Sequence, residues 1–262
     1  MIGVGYRREL AGWIATRPAS ISCLEITAEH FFDRDEAELE KLADDYHLFV
    51  HGLGLSLGTP GPIDASRLKT FARIAHTAKA DWVSEHIAFT RTSTVDLGHL
   101  NPVRPTHSMV EIIAEHAREV ADVCGKPIIL ENITSHLPLQ GDLAEPDFLN
   151  AICARADCGL LLDVTNLYIN SRNHGFDPLA WLAQVEPRRI VQLHVVGYSM
   201  EHGRYTDNHA MPVQREIIDL ARAVVAYGGG VKAVILERDA AFPDAAEMEA
   251  ETTQLADLFE RD

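Results

Sequence analysis

Six residues of metal-binding type in this chain share one kind of position. His51, His86, Glu131, Asp163, His194 and Glu237 each stand at or near the C-terminal end of a short apolar run, and successive members are roughly 30 to 45 residues apart. A lone histidine at such a place is ordinarily a hydrogen-bonded core or rim residue. Six in phase point instead to side chains that meet. Carboxylates gathered at one point repel one another and lose hydration, and bound multivalent cations relieve both penalties. The segment TDNHAMPV adds Asp207 and His209, two apart in what reads as an extended stretch and so able to face one way, and Asn166 lies three residues beyond Asp163. All nine are nitrogen or oxygen donors suited to iron, manganese or zinc. With no cysteine among them, a structural Cys-type zinc centre is excluded. Nine candidates exceed the four or five protein ligands of one open catalytic ion, so two or three ions are expected.

The elements that would position these residues alternate in type. Apolar runs at Ile2–Tyr6, Ser22–Thr27, Leu48–Ser56, Trp82–Phe89, Pro127–Ile133, Gly159–Asn166, Ile190–Gly197 and Lys232–Asp239 read as strands. Between and after them lie helical segments at Arg8–Thr16, Arg34–Tyr46, Asp64–Lys79, His107–Val123, Pro146–Ala156, Pro178–Val185, Val213–Ala226 and Ala245–Phe259. In the fourth helix Val110, Ile113, Ala114, Ala117, Val120 and Ala121 recur at helical spacing. Parallel strands buried on both faces are near-continuous apolar runs, as in GLLL and AVIL. Strand then helix, eight times, predicts an α/β fold, a (β/α)8 TIM barrel forming a single domain over residues 1–262. Its strand ends surround one mouth. The stretch Thr90–Pro105 reads as the longest irregular insertion, on the mouth side.

Composition narrows the function classes. A hydrophobic content of 47% with 24% charged residues describes an ordered globule, and a formal charge of −16 disfavours nucleic acid and other polyanions. No run approaches the ~20 apolar residues of a membrane span, and the N-terminus lacks the pattern of a secretory signal. A cytoplasmic protein without membrane partners is expected. Cys23, Cys124, Cys153 and Cys158 form no CxxC pair and read as buried reduced thiols. The acidic tail AAEMEAETTQLADLFERD reads as a solvated amphipathic helix.

The segments HGLGLSLG, WVSEHIAF, LENI, LLDVTNLYINSRNHGFDP, LHVVGYS, TDNH and LERD resemble, in order and spacing, the multinuclear non-haem iron-dependent oxidases typified by the methanobactin-biosynthesis oxidase. The resemblance runs from Gly3 to about Pro243. It implies a TIM barrel of the xylose isomerase and endonuclease IV type, two or three irons in mixed Fe(II)/Fe(III) valence, and dioxygen as co-substrate. It also implies a ribosomally made precursor peptide as substrate and a separate peptide-binding partner protein. Carried over by position, it makes Glu131 the bridge between two irons, one completed by Asp163, His194 and Glu237 and the other held by His51 and His86. Asn166, Asp207 and His209 would form a third site. Catalytic roles then fall to Glu131, Asp163, His194 and Glu237. The oxidised residue would be cysteine first, with Asp or Asn as the alternative. The chain departs from the family pattern at Glu29–His30, at Tyr198 and in DLGHLNPVRPTHS, positions expected to face the mouth and to bear on substrate identity.

Other residues carry lesser expectations. Glu25 and Glu29 are candidates to hydrogen-bond ligands or substrate, and Asn132 and Asp239 adjoin ligands. His174 reads as a loop residue positioning Asp177 or Asn173; Arg104, Arg172 and Arg238 as surface residues able to grip a carboxylate; Trp13, Trp82 and Trp181 as core. Two other function classes fit the same barrel: a metal-dependent hydrolase or sugar isomerase, and a non-catalytic metal-binding protein.

Overall fold

A computed structural model describes residues 1–34, 36–92 and 94–259. Asp35 of the expected helix Arg34–Tyr46, Ser93 of the expected loop, and the last three residues of the acidic tail lie outside the described residues. Eight parallel strands close a barrel: β1 (Ile2–Gly5), β2 (Cys23–Thr27), β3 (His47–His51), β4 (Val83–His86), β7 (Ile128–Glu131), β8 (Gly159–Asp163), β9 (Ile190–Val195) and β12 (Ala233–Leu236). Neighbours in the barrel are neighbours in sequence order, with β12 returning to β1. Two antiparallel hairpins, β5 (Ala88–Arg91) with β6 (Asp96–Pro102) and β10 (Gly197–Glu201) with β11 (Arg204–Met211), rise from the strand ends.

The period of two along each strand separates two apolar groups. Residues such as Leu24, Val50, Leu130, Leu162 and Leu236 join the large core between barrel and helices. Cys23, Phe49, Trp82, Ile129, Leu161, Ala233 and Ile235 form a second group inside the barrel. Two residues beyond Phe49, Ile129, Leu161 and Ile235 stand His51, Glu131, Asp163 and Glu237, so the inward face changes from carbon at the floor to nitrogen and oxygen at the mouth. Phe49 and Trp82 stack within that floor with ring centroids 4.1 Å apart.

Helices α1 (Ala11–Ile14), α2 (Ala37–Asp45), α3 (Ala65–Thr77), α4 (His107–Cys124), α5 (Glu145–Ala156), α6 (Val164–His174), α7 (Pro178–Leu182), α8 (Arg215–Gly228) and α9 (Ala245–Ala256) account for the expected helical segments and add one. The addition is α6. The run expected to continue as strand to Asn166 stops at Asp163, whose side chain accepts from the Asn166 backbone N–H and caps the new helix. The expected first helix is shorter, a 3₁₀ turn at Arg8–Leu10 followed by α1. Trp82–Phe89 is two strands, broken at Ile87, and Leu48–Ser56 stops pairing at His51. The stretch Thr90–Pro105 is largely the β5–β6 hairpin, which sequence alone hid because Gly98 and the polar residues around it read as loop.

The barrel floor leaves no room at Gly3. A Cβ there would lie 2.4 Å from the Cys23 carbonyl oxygen and 2.5 Å from its sulfur, on the facing strand. Gly3→Ala is therefore expected to lower unfolding free energy by about 1–3 kcal/mol through overpacking, as read by urea denaturation.

Candidate metal centre

Glu131 organises the mouth. Its Oε2 lies 3.3 Å from His51 Nε2 and 3.3 Å from His86 Nε2, while its Oε1 lies 3.1 Å from His194 Nδ1. The two oxygens thus face two different sets of donors. Among the described residues, three groups of side chains offer ligand atoms within 4.8 Å of one another: His51, His86 and Glu131; Glu131, Asp163, His194 and Glu237; and His209, Glu237 and Asp239. Glu131 is common to the first two and Glu237 to the last two. The six strand-end residues named from the sequence are all buried together.

Each histidine is fixed by what holds its other nitrogen. His51 Nδ1 bonds Ser84 Oγ at 2.8 Å, and His86 Nδ1 lies 3.1 Å from Glu85 Oε1, so both present Nε2 to Glu131. His194 is turned the other way: its Nε2 meets Glu25 Oε1 at 2.6 Å and its Nδ1 faces Glu131 and Glu237. Glu25 in turn accepts from Gln192, whose Oε1 accepts from Trp82 Nε1 at 2.8 Å. A carboxylate behind the imidazole is the usual way of orienting a metal-binding histidine. Glu85, Ser84 and Gln192 were not expected from the sequence. The available signal was their spacing, since Ser84 and Gln192 stand two residues before His86 and His194 on the same inward face.

Several donors are left without a hydrogen-bond partner. Asp163 Oδ2 and Asn166 Oδ1 are buried and unmatched, and Glu131 Oε2, Asp207 Oδ1 and His209 Nδ1 have only imidazole–carboxylate contacts that lack hydrogen-bond geometry. Burial pushes the Asp163 carboxyl well above the ordinary range, reinforced by Glu131 and Asp207. For His194 burial works downward, yet Glu25, Glu237 and Glu131 outweigh it and raise the imidazole well above its usual value. His51 moves the opposite way, lowered by burial and by His86 and His194. Burial also opposes the charge on Glu237, but His194 and His209 hold it well below the ordinary carboxylate range. Such a set lacks only positive charge among its oxygens, which a cation supplies. The buried orphan atoms and the mixed imidazole–carboxylate chemistry fit a hard or borderline metal.

The third cluster differs from the one expected. The segment carrying Asp207 and His209 is a bulge: Gly197 pairs with Met211 and Ser199 with Thr206, leaving residues 207–210 out of register. His209 sits there at φ 50°, and its carbonyl accepts from Asp239 N at 2.9 Å. Its ring is 2.9 Å from Asp207, 3.5 Å from Glu237 and 3.1 Å from Asp239. Asn166 lies instead beside Asp163, donating from Nδ2 to the Asn132 carbonyl at 3.2 Å. Asp239, expected only to adjoin a ligand, is thus in the cluster, and it shares Arg7 with Glu237.

The remaining candidates fall elsewhere. Asn132 clamps β7 to β8 by a reciprocal pair with the Asp163 backbone, at 3.0 and 2.9 Å. Tyr198, expected to face the mouth, packs with Tyr168 and Tyr205 and donates to Glu216 of α8. His30 is exposed. His174 bonds the Ser135 carbonyl at 2.7 Å and positions neither Asp177 nor Asn173; Asp177 caps α7 and Asn173 bonds the Tyr205 backbone. Arg238, expected at the surface, is buried against Glu251 at 2.6 Å and donates to the Ala210 carbonyl. Arg104 donates to the Gln140 carbonyl, and Arg172 lies over the Tyr168 ring.

A closed barrel of eight parallel strands with surrounding helices is a TIM barrel, and its structural neighbours include xylose isomerase-like TIM barrel proteins. Over 97% of the chain it superposes on 96% of D-psicose 3-epimerase from Clostridium cellulolyticum with a TM-score of 0.66 at 13% identity. A Thermus thermophilus protein soaked with zinc chloride gives 0.62 at 20% identity, covering 98% of this chain and 97% of that one. A xylose isomerase-like TIM barrel protein from Mycobacterium smegmatis, in complex with magnesium, gives 0.59 at 15%, covering 96% and 89%. Those identities speak for the fold alone. The sequence goes further: the family model described as RiPP precursor modification enzyme MbnB/TglH/ChrH matches residues 1–260, and the chain belongs to that family. A UPF0276 protein of Bordetella bronchiseptica is 32% identical over 268 residues, covering 99% of this chain and 92% of the relative. Another, from Neisseria meningitidis serogroup C, is 33% identical over 271 residues, covering 99% and 95%. The family resemblance and the barrel expected from the motifs are both borne out.

Glu29, at the rim, yields a pH test. Burial and the nearby Glu85 raise its carboxyl to about 7. A folded-state value above the unfolded one favours the protonated form, so this contribution is complete below about 4.5 and is lost as pH rises through 7. Metal-free Glu29→Gln is expected to melt about 2–4 °C above wild type at pH 8, with the difference vanishing at pH 4.5 in paired thermal scans.

Proposed function

We propose that this protein is a multinuclear non-haem iron-dependent oxidase that uses dioxygen to modify a residue of a ribosomally synthesised precursor peptide. Cysteine is the first choice for that residue, with Asp or Asn as the alternative. The observation that carries the reading is the division of Glu131, one oxygen toward His51 and His86 and the other toward His194. A carboxylate so placed is suited to join two ions. Family membership supports the peptide as substrate class.

In this reading His51, His86 and Glu131 hold one iron, and Glu131, Asp163, His194 and Glu237 a second. His209, Glu237 and Asp239, with Asp207 beside them, hold a third, while Asn166 offers its unmatched oxygen from the Asp163 side. Iron in mixed Fe(II)/Fe(III) valence supplies one-electron chemistry with dioxygen and a Lewis-acid site for a substrate thiolate. The chain's own contribution is orientation. Glu25, Glu85 and Ser84 fix the imidazoles, the Asn166 N–H fixes the carboxylate of Asp163 while Asn132 clamps its backbone, and an apolar floor of buried side chains lies beneath. A separate protein presents the peptide, and the reaction takes place in the cytoplasm, where such precursors are made.

Metal analysis after anaerobic reconstitution checks this directly. Wild type is expected to hold two or three irons, and Glu131→Gln to lose more than one. His209→Ala should lose about one while sparing the Mössbauer signal of the coupled pair, whereas His51→Ala or His194→Ala should abolish that signal. Retention of zinc alone, with no change in peptide mass under aerobic, iron-replete conditions and with neighbouring gene products present, would refute the oxidase. It would favour a metal-dependent hydrolase or isomerase on the same barrel.

A mass change in coexpressed precursor peptide is the second expected outcome. It should require oxygen and disappear when the peptide's cysteines become serine. A change that survives those substitutions moves the target to another side chain.

A further inference from the structure

A cavity of about 220 Å³ lies between the loop that follows β7, the foot of the β5–β6 hairpin, and helices α5 and α6. Its walls are mostly carbon, supplied by Val103, Pro105, Ile133, Leu139, Phe148 and Phe176. The polar side chains that border it are engaged with the wall. Asn170 donates to the Ile133 carbonyl at 2.9 Å and accepts from Ser135 N at 3.0 Å, His174 bonds the Ser135 carbonyl, and Glu145 accepts from Trp181 Nε1 at 3.0 Å. An entering group therefore meets a largely apolar lining. Leu137, on the rim, is 66% exposed.

Position ties this cavity to the metal-type cluster. Ile87 and Asn132 line it, and each directly follows a cluster residue in the chain, His86 and Glu131 respectively. Both features are thus built on the same two strand ends. Size decides what the cavity can take. An apolar cavity of about 150 Å³ accepts a benzene ring, whereas pockets for whole small ligands run from about 300 Å³ upward. At about 220 Å³ it suits one large apolar side chain and is too small for a whole peptide segment.

We propose that this cavity is the specificity pocket of the site, taking one Leu, Ile, Met or Phe side chain that lies close in the peptide to the residue being modified. The proposal rests on the peptide-modifying reading above. It assigns to β7, α5 and α6 the choice of which peptide position reaches the cluster.

Binding can be read without turnover. Methyl-labelled full-length protein is titrated with N-acetyl-leucinamide, N-acetyl-phenylalaninamide and N-acetyl-aspartamide, following the methyl resonances of Ile133 and Leu139. Saturable shifts are expected with the first two amides and none with the third. They should vanish in Leu139→Trp, which fills the space, and in Val103→Phe, which fills it from the opposite wall should the first variant fail to fold. Absence of saturation with the apolar amides, or equal response to the aspartamide, would overturn the proposal. In turnover, replacing the large apolar residues flanking the modified position by serine should raise KM about tenfold or more and leave kcat near wild type. An unchanged KM would remove the pocket's role while leaving the oxidase intact. Saturable binding by a protein that alters no peptide would instead overturn the oxidase reading, and with it the assignment to a peptide substrate.

Discussion

Repulsion among carboxylates gathered at a largely buried barrel mouth is the constraint on which the rest of this structure depends. Glu25, Glu131, Asp163 and Glu237 are buried, with Asp207 and Asp239 close by. Each oxygen taken from water needs a hydrogen, a cation or a proton. The chain meets part of that need with His51, His86, His194, His209 and the Arg7 guanidinium. The remainder shows as unmatched oxygens on Asp163 and Asn166 and as an Asp163 carboxyl forced toward its neutral form. A polar centre kept only for stability would have closed these gaps with donors from the chain.

Around that centre the fold supplies rigidity. The aromatic floor of Phe49 and Trp82 supports the polar layer, and Trp82 reaches it through Gln192 and Glu25 to His194, a chain of hydrogen bonds from the core to the mouth. The β11 bulge performs a different task. By leaving the ladder with His209 in a left-handed conformation, it swings a ring across the mouth that no barrel strand could place there, and Arg238 holds the bulge from below through the Ala210 carbonyl. Buried against Glu251 of α9, Arg238 links the last helix to the site.

The two hairpins make the mouth asymmetric. The β10–β11 hairpin brings histidine and aspartate toward the cluster, while the foot of β5–β6 forms one wall of the apolar cavity on the other side. One insertion thus adds polar groups to the barrel mouth and the other adds apolar ones beside it.

The sequence by itself determined the barrel and the six strand-end ligand candidates, because both follow from a local rule: an apolar run buries, its period of two chooses a face, and the residue at its end inherits that face. His51, Glu131, Asp163 and Glu237 were legible for that reason. What only the tertiary structure decided depends on contacts between distant segments. The grouping of His209 with Asp239 rather than Asn166 required the bulge, which arises from pairing between β10 and β11 and from hydrogen bonds donated by residues after β12. The roles of Glu85, Ser84 and Gln192 required knowing which nitrogen each imidazole turns inward. Tyr198 left the mouth because Tyr168, Tyr205 and Glu216 offered its ring and hydroxyl better partners. Strand ends are written in periodicity. Side-chain direction beyond them is set largely by partners 18 to 167 residues away in the sequence, as for Tyr198, His51 and Gln192, and no local pattern encodes those meetings.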